Sequence, residues 1–169
     1  MRYAGLIEND VANGEGICVT LFLQGCPHHC PGCHNPDTWD FNGGMEIDET
    51  ELINKIFRAI TKNGILRNFS ISGGEPLCEE NIPFVNRLVK FIRNMFPTIK
   101  IFCWSGYEYE DLWILANYYN GLHEILNTVD VLITGPFILE QRDITLKLRG
   151  SKNQEIWRRD ENGIMKLDS

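Results

Sequence analysis

Three of the six cysteines, Cys26, Cys30 and Cys33, fall in one short stretch, GCPHHCPGCHN, spanning residues 25–35. Thiols this close, spaced C-x3-C-x2-C, suit metal binding better than a disulfide framework. A structural zinc site closes four ligands, usually as two short pairs set apart. No second cysteine pair is present, and His28, His29 or His34 would have to complete the tetrahedron from inside the same tight loop. A cubane iron–sulfur cluster fits better, because its irons take cysteine thiolates and lie close enough for one loop to hold three. The fourth iron then lacks a protein ligand. Metal centres keep such an open position for a substrate or cofactor.

The elements that must position this loop can be read around it. Residues 17–23, ICVTLFL, are a short apolar β-rich run, predicted as a buried strand that ends where the cysteine loop begins. From Asp48, DETELINKIFRAITKNG carries a capping box (Asp48, Glu51), apolar Leu52, Ile53, Ile56, Phe57 and Ile60, and Gly64 as a stop, which predicts an amphipathic helix. A strand follows over residues 68–72, then SGGEPL, then a helix over about 81–96 ended by Pro97. KIFCW is a further strand, SGYEYEDL opens a helix, and VDVLITGPF is a strand with a glycine turn. One last strand is predicted from Thr145, before an irregular polar end. Strands alternating with helices predict a parallel sheet with right-handed crossovers. Ligands of such sheets sit at the carboxyl ends of strands. The loops QGCPHHCPGCHN, SGGEPL, WSGY and TGPF each follow a strand, so they are predicted to converge on one rim as a composite site.

Composition sets the outer bounds. The 169 residues predict one domain over 1–169, and 43% hydrophobic with 23% charged residues is ordinary for a soluble globular protein. The formal charge of 16 − 23 = −7 disfavours a nucleic-acid partner. The N-terminal MRYAGLIENDVANGEG has no apolar core of a signal peptide, and no apolar run approaches the ~20 residues of a membrane span, so a cytoplasmic chain without a membrane partner is expected. Cys18, Cys78 and Cys103 are expected to be buried small hydrophobes. His28 and His29 are expected to be solvated, and Trp39 to fill core rather than cover the cysteine loop.

The C-x3-C-x2-C loop after the first strand resembles the radical S-adenosylmethionine superfamily, and SGGEP at 72–76 resembles that superfamily's Gly-Gly-Glu element. The resemblance implies a partial, laterally open parallel (β/α) barrel of the radical SAM type. It also implies one 4Fe-4S cluster on Cys26, Cys30 and Cys33, which are the catalytic and metal-binding residues, with S-adenosylmethionine at the open iron. Cofactor contacts are implied for Gly32, Cys33, His34, Ser72, Gly73, Gly74, Glu75 and Ser105. Gly73 and Gly74 have no side chains to hold a ligand off, and Glu75 offers a carboxylate to a cationic amino group.

Taken with VANGEG, WSGY, VDVLITGPF and LRGSKNQEIW, these motifs resemble the glycyl-radical activases that serve anaerobic ribonucleoside-triphosphate reductase. That resemblance implies the reductase as protein substrate and an electron donor such as reduced flavodoxin. It implies reductive cleavage of S-adenosylmethionine to methionine and a 5′-deoxyadenosyl radical, which takes hydrogen from a glycine of the reductase. At roughly 30 residues per βα unit, the chain is too short for a large closed barrel, and an open side can admit a loop of another protein. Gly32 stands where the wider superfamily often has an aromatic residue, and the CPGC form is expected of these activases. Two other readings are a radical enzyme acting on a small molecule, similar to 7-carboxy-7-deazaguanine synthase, and a zinc-stabilised binding module.

Overall fold

Side chains alternate across a strand, so each strand divides its residues between the two faces of a sheet. In the computed structural model, which describes residues 1–168, this division decides where the helices lie. Ser169, the last residue of the expected single domain, lies outside the described residues. Strand β1 spans Arg2–Asp10 and β2 spans Cys18–Leu23. β2 places Val19, Leu21 and Leu23 in the main core, whereas buried Cys18 and Thr20 alternate with them. After β3 (Met45–Glu46) and helix α1 (Glu49–Ile60), β4 (Asn68–Gly73) repeats the pattern with Phe69 and Ile71 in the core and Ser70 opposite. Helix α2 (Ile82–Met95) precedes β5 (Ile101–Trp104), and α3 (Tyr109–Leu115) and α4 (Leu122–Thr128) precede β6 (Val131–Thr134). Two further strands, β7 (Glu155–Arg159) and β8 (Met165–Asp168), end the described chain.

The helices supply Leu52, Ile56, Val85, Leu88, Val89, Ile92, Leu112 and Ile125 to that core. Each such side chain is worth about 1.5–3 kcal/mol when fully buried, so the helix-covered face holds the fold together. The opposite face carries only a small cluster of Phe102, Val131 and Ile133, with Trp104, Leu148 and Ile156 packed against it.

Helix α1 starts where the capping box predicts, with Asp48 Oδ1 accepting from Glu51 N–H at 3.2 Å. It stops at Ile60, before Gly64, because residues 62–64 wind as a 3-10 turn with Asn63 at a φ of 59°. Arg67, only 3% exposed, then donates to the carbonyls of Ala59, Lys62 and Ile65 at 2.8–3.2 Å, bracing the end of α1 against the turn that follows it.

The sheet order is β3-β1-β2-β4-β5-β6-β7-β8. Its centre, β2-β4-β5-β6, is parallel as predicted, but β1 and β3 on one side and β7 and β8 on the other are antiparallel. The short link from β1 to β2 is the physical reason at one side, since parallel neighbours need a crossover of a dozen residues or more. The segment from Thr145 is not the predicted strand. Thr145 N–H and Oγ1 both bind Asp143 Oδ1, and Leu148 has a φ of 65°, so the chain folds as turns there, closes on an isolated antiparallel bridge between Arg142 and Ser151, and joins the sheet only from Glu155. β3 and β8 terminate the order, which leaves an open mixed α/β sheet. Among the described residues, no helix is long and apolar enough to cross a membrane.

Candidate iron–sulfur site

Parallel strands end on the same side, so the loops leaving β2, β4, β5 and β6 meet above their carboxyl ends. They line one cavity: Cys26, Cys30 and Cys33 come from the β2 loop, Ser72 and Gly73 from the end of β4 with Gly74 and Glu75 from its loop, Trp104 from the end of β5 with Ser105 and Gly106 after it, and Gly135 and Phe137 from the loop after β6. The predicted rim is therefore present. A wider cavity of about 500 Å³ adjoins it and shares Cys33, Ser72, Trp104, Phe137 and Gln154.

The two glycines at the end of β4, Gly73 closing the strand and Gly74 following it, bring one loop onto the next. A Cβ on Gly73, whose φ is +115°, would strike the Leu23 backbone, and one on Gly74 would strike the Gly25 carbonyl. Gly74 N–H donates to Leu23 O at 2.9 Å and Glu75 N–H to Gly25 O at 2.8 Å, which fastens the β4 loop to the start of the cysteine loop. The absent side chains thus serve backbone-to-backbone packing inside the protein.

Glu75 is 1% exposed, and its carboxylate is surrounded by donors. Oε1 accepts from Leu77 N–H and Ser105 Oγ, both at 2.9 Å. Oε2 accepts from Gly106 N–H at 2.7 Å and faces His28 Nε2 at 2.7 Å. One carboxylate therefore joins the loops of β2, β4 and β5. His28 is consequently not the solvated residue expected: its side chain is 18% exposed and its ring packs edge-on against Tyr107, with centroids 4.5 Å apart. A pair 47 residues apart leaves no local signal in a sequence. Burial, reinforced by the Glu75 charge, pushes the Tyr107 hydroxyl well above the usual tyrosine range.

Trp39 also departs from expectation, because it lines the cavity wall alongside the cysteines. His29 has a φ of 49°, and its ring stacks on the Trp39 indole at 4.7 Å with the planes 10° apart. Gln24, 3% exposed, holds the segment that carries Trp39 by donating to Asp37 O and Asp40 O at 2.9 and 2.7 Å. Gln154 is a further wall residue, accepting from Gly150 N–H and donating to Gly135 O, so the GSKNQ segment buttresses the β6 turn.

The remaining predicted residues are placed less centrally. Gly32, with a φ of +77°, packs on Leu139, where a Cβ would lie 2.8 Å from a methyl carbon. His34 is exposed, sits edge-on to Phe137 at 5.3 Å and lines the wider cavity rather than the cysteine-lined one. Cys18, Cys78 and Cys103 are buried as expected; burial pushes Cys78 up to about 12 and Cys103 well above the ordinary thiol value.

The residues present fit an iron–sulfur cluster. Cys26 is 9% exposed, and burial pushes its thiol up to about 11 in the metal-free chain, against hydrogen bonds from the His28 and His29 backbone that lower it. Cys33 Sγ accepts from Asn35 N–H at 3.4 Å, the kind of contact that steadies a metal-bound thiolate. The Trp39 indole N–H is buried without an acceptor. Among the described residues, no three or more Cys, His, Asp or Glu side chains draw together as a single metal ion requires.

A three-cysteine loop at the mouth of the parallel strands, with Cys26 buried and Cys30 and Cys33 half-buried, suits an iron–sulfur domain, and a family model described as a 4Fe-4S single cluster domain matches residues 12–157. Similarity then narrows the class. The chain belongs to the family of anaerobic ribonucleoside-triphosphate reductase-activating proteins. It is 37% identical to the protein of that name from Vibrio cholerae over 94% of this chain and 98% of the relative. Identity is 35% with that of Escherichia coli K12, over 92% and 97%, and 34% with that of Enterobacteria phage T4, over 99% and 100%.

Proposed function

We propose that this chain activates anaerobic ribonucleoside-triphosphate reductase by generating a glycyl radical on it, as a cytoplasmic radical S-adenosylmethionine enzyme built as a single domain over residues 1–169. The open sheet with its parallel centre is, on this reading, a partial and laterally open (β/α) barrel of the radical SAM type. The observation that carries the reading is the meeting of the three-cysteine loop with the Ser72–Glu75 loop across one cavity. The names of the relatives support the partner, and none of the three supports a small-molecule reaction of the 7-carboxy-7-deazaguanine synthase kind.

When bound, the cluster and S-adenosylmethionine supply a 5′-deoxyadenosyl radical, through one-electron reductive cleavage to methionine, for removal of hydrogen from a glycine of the reductase. The chain binds, orients and excludes water. Cys26, Cys30 and Cys33 hold the cluster. Ser72, Gly73, Gly74 and Ser105 present the cofactor wall, Gly32 and His34 flank the third cysteine, and Glu75 keeps the three loops in register while offering its rim to the cofactor. The two adjoining cavities give a cofactor room beside an incoming glycine-bearing loop. Reduced flavodoxin, or a donor of that class, delivers the electron.

The test is anaerobic reconstitution with iron and sulfide, followed by electron paramagnetic resonance of the reduced protein with and without S-adenosylmethionine. A reduced four-iron signal that changes on adding the cofactor is expected. One zinc per chain with no iron retained, or a cluster signal indifferent to the cofactor, would overturn the proposal.

A further inference from the structure

Trp39 carries a donor that the fold leaves unused. An indole has one N–H and no acceptor, and buried donors are paired in roughly nine cases in ten or more. Trp39 Nε1 is buried and finds no acceptor. Among the described residues, the other buried side-chain atoms without a hydrogen-bond partner lie on Thr20, Asn86, Thr134 and Asn153, and on Asp160, whose Oδ2 is ion-paired with Lys166; none of these lines the cavity of the three thiols. Trp104 makes an internal comparison: it lines the same cavity, but its indole N–H is donated to Leu148 O at 2.7 Å.

The position of Trp39 is also held. Cys26 N–H donates to Trp39 O at 3.1 Å, Gly25 N–H to Thr38 O at 2.7 Å, and Thr38 Oγ1 to Asn35 O at 2.7 Å. These bonds tie the backbone of Trp39 to both ends of the cysteine loop. The stacked His29 ring fixes the plane of the indole. A buried, oriented and unpaired donor beside three thiols points to a sulfur acceptor.

We infer that the Trp39 indole N–H donates to a sulfur of the cluster held by Cys26, Cys30 and Cys33, and so raises the reduction potential of that cluster. This rests on the proposed cluster. Reduction adds negative charge to the sulfurs, so a donor stabilises the reduced state more than the oxidised one; hydrogen bonds to sulfur are a principal means by which proteins set such potentials.

The experiment is an anaerobic redox titration of the reconstituted full chain, monitored by electron paramagnetic resonance, comparing wild type with Trp39→Phe. Phenylalanine keeps an aromatic ring against His29 and removes the donor together with part of the indole's volume, so an isotope measurement on the unaltered indole accompanies the titration. With iron content unchanged, the equilibrium constant for reduction should fall about tenfold, a midpoint lower by about 59 mV for a one-electron couple. An unchanged midpoint at full iron content overturns the inference and leaves the activase reading intact. Absence of iron from the wild type overturns the reading itself.

Should Trp39→Phe fail to retain iron, the wild type decides. Protein containing indole-15N tryptophan should show a 15N coupling to the reduced cluster in pulsed resonance, and the coupling should persist in Trp104→Phe. Lack of a coupling in the wild type, or its loss in Trp104→Phe, overturns the inference.

Discussion

Replacing Glu75 by glutamine tests whether the carboxylate is the fastening of three loops that its hydrogen bonds describe. The two oxygens take Leu77 N–H and Ser105 Oγ on one side, and Gly106 N–H and His28 Nε2 on the other. In glutamine one of these oxygens becomes an NH2 group. The Ser105 hydroxyl can rotate and His28 can change tautomer to accept from it, but a backbone N–H can do neither. Either orientation of the amide therefore sets it against Leu77 N–H or Gly106 N–H at a position 1% exposed. One hydrogen bond to a charged group is lost and one buried donor is left unpaired, a cost of about 2–4 kcal/mol. In a chain of this length that is a fall of roughly 10 °C in Tm. Urea unfolding of the metal-free, reduced protein is the assay, because no cofactor then contributes. Ser105→Ala, which removes one donor to the carboxylate and the acceptor of Tyr107 N–H, should cost about 2 kcal/mol, and a double-mutant cycle of Glu75→Gln with His28→Ala should show coupling. Glu75→Gln within about 0.5 kcal/mol of wild type in the metal-free protein would refute the reasoning and leave Glu75 as a ligand contact alone.

Gly74→Ala should destabilise by at least about 2 kcal/mol, because its Cβ meets the Gly25 backbone rather than a side chain that can move, whereas Gly5→Ala has open space around it and should stay within about 0.5 kcal/mol; thermal unfolding of both checks this. Serine at Cys26, Cys30 or Cys33 should each abolish retention of a four-iron cluster, while alanine at Cys18, Cys78 or Cys103 should retain full iron by metal analysis after gel filtration. Burial alone would raise Asp10, but hydrogen bonds from the Asn13 side chain and the backbone N–H groups of Ala12 and Asn13 outweigh it and hold the carboxyl below the ordinary aspartate value. Its contribution to stability is thus present above that value and is lost as pH falls through the lower folded value; Asp10→Asn should be less stable at neutral pH and show a shallower acid limb in urea midpoints measured from about pH 2 to pH 7.

The parallel centre of the sheet was legible because apolar runs such as ICVTLFL and IFCW are bounded by glycine turns and separated by helical periodicity. The four functional loops were legible for the same reason, since topology alone sends them to one rim. The edges were not. Every residue of β7 is half-buried, and β1 has register shifts on both sides of its middle, so neither shows a clean alternation. At the site, residue types identified the thiols but not their surroundings. His28 reaches Glu75 across 47 residues, and Trp39 lies on the cavity wall because the segment after the cysteines is hydrogen-bonded back onto Gly25 and Cys26. The glycines of SGGEP announced a close approach without saying that the neighbour is the protein's own backbone.

Transfer of a radical from this chain to another protein is read by electron paramagnetic resonance of that protein after turnover. Reconstituted, reduced chain would be mixed anaerobically with S-adenosylmethionine and anaerobic ribonucleoside-triphosphate reductase, and the spectrum recorded with the partner's backbone glycines carrying either hydrogen or deuterium. A doublet radical signal is expected, dependent on the cofactor and on the chain, that collapses in the deuterated partner and is absent with the serine variant of Cys30. No radical on the reductase, from a chain whose four-iron cluster is intact and reduced and responds to the cofactor, would contradict that transfer.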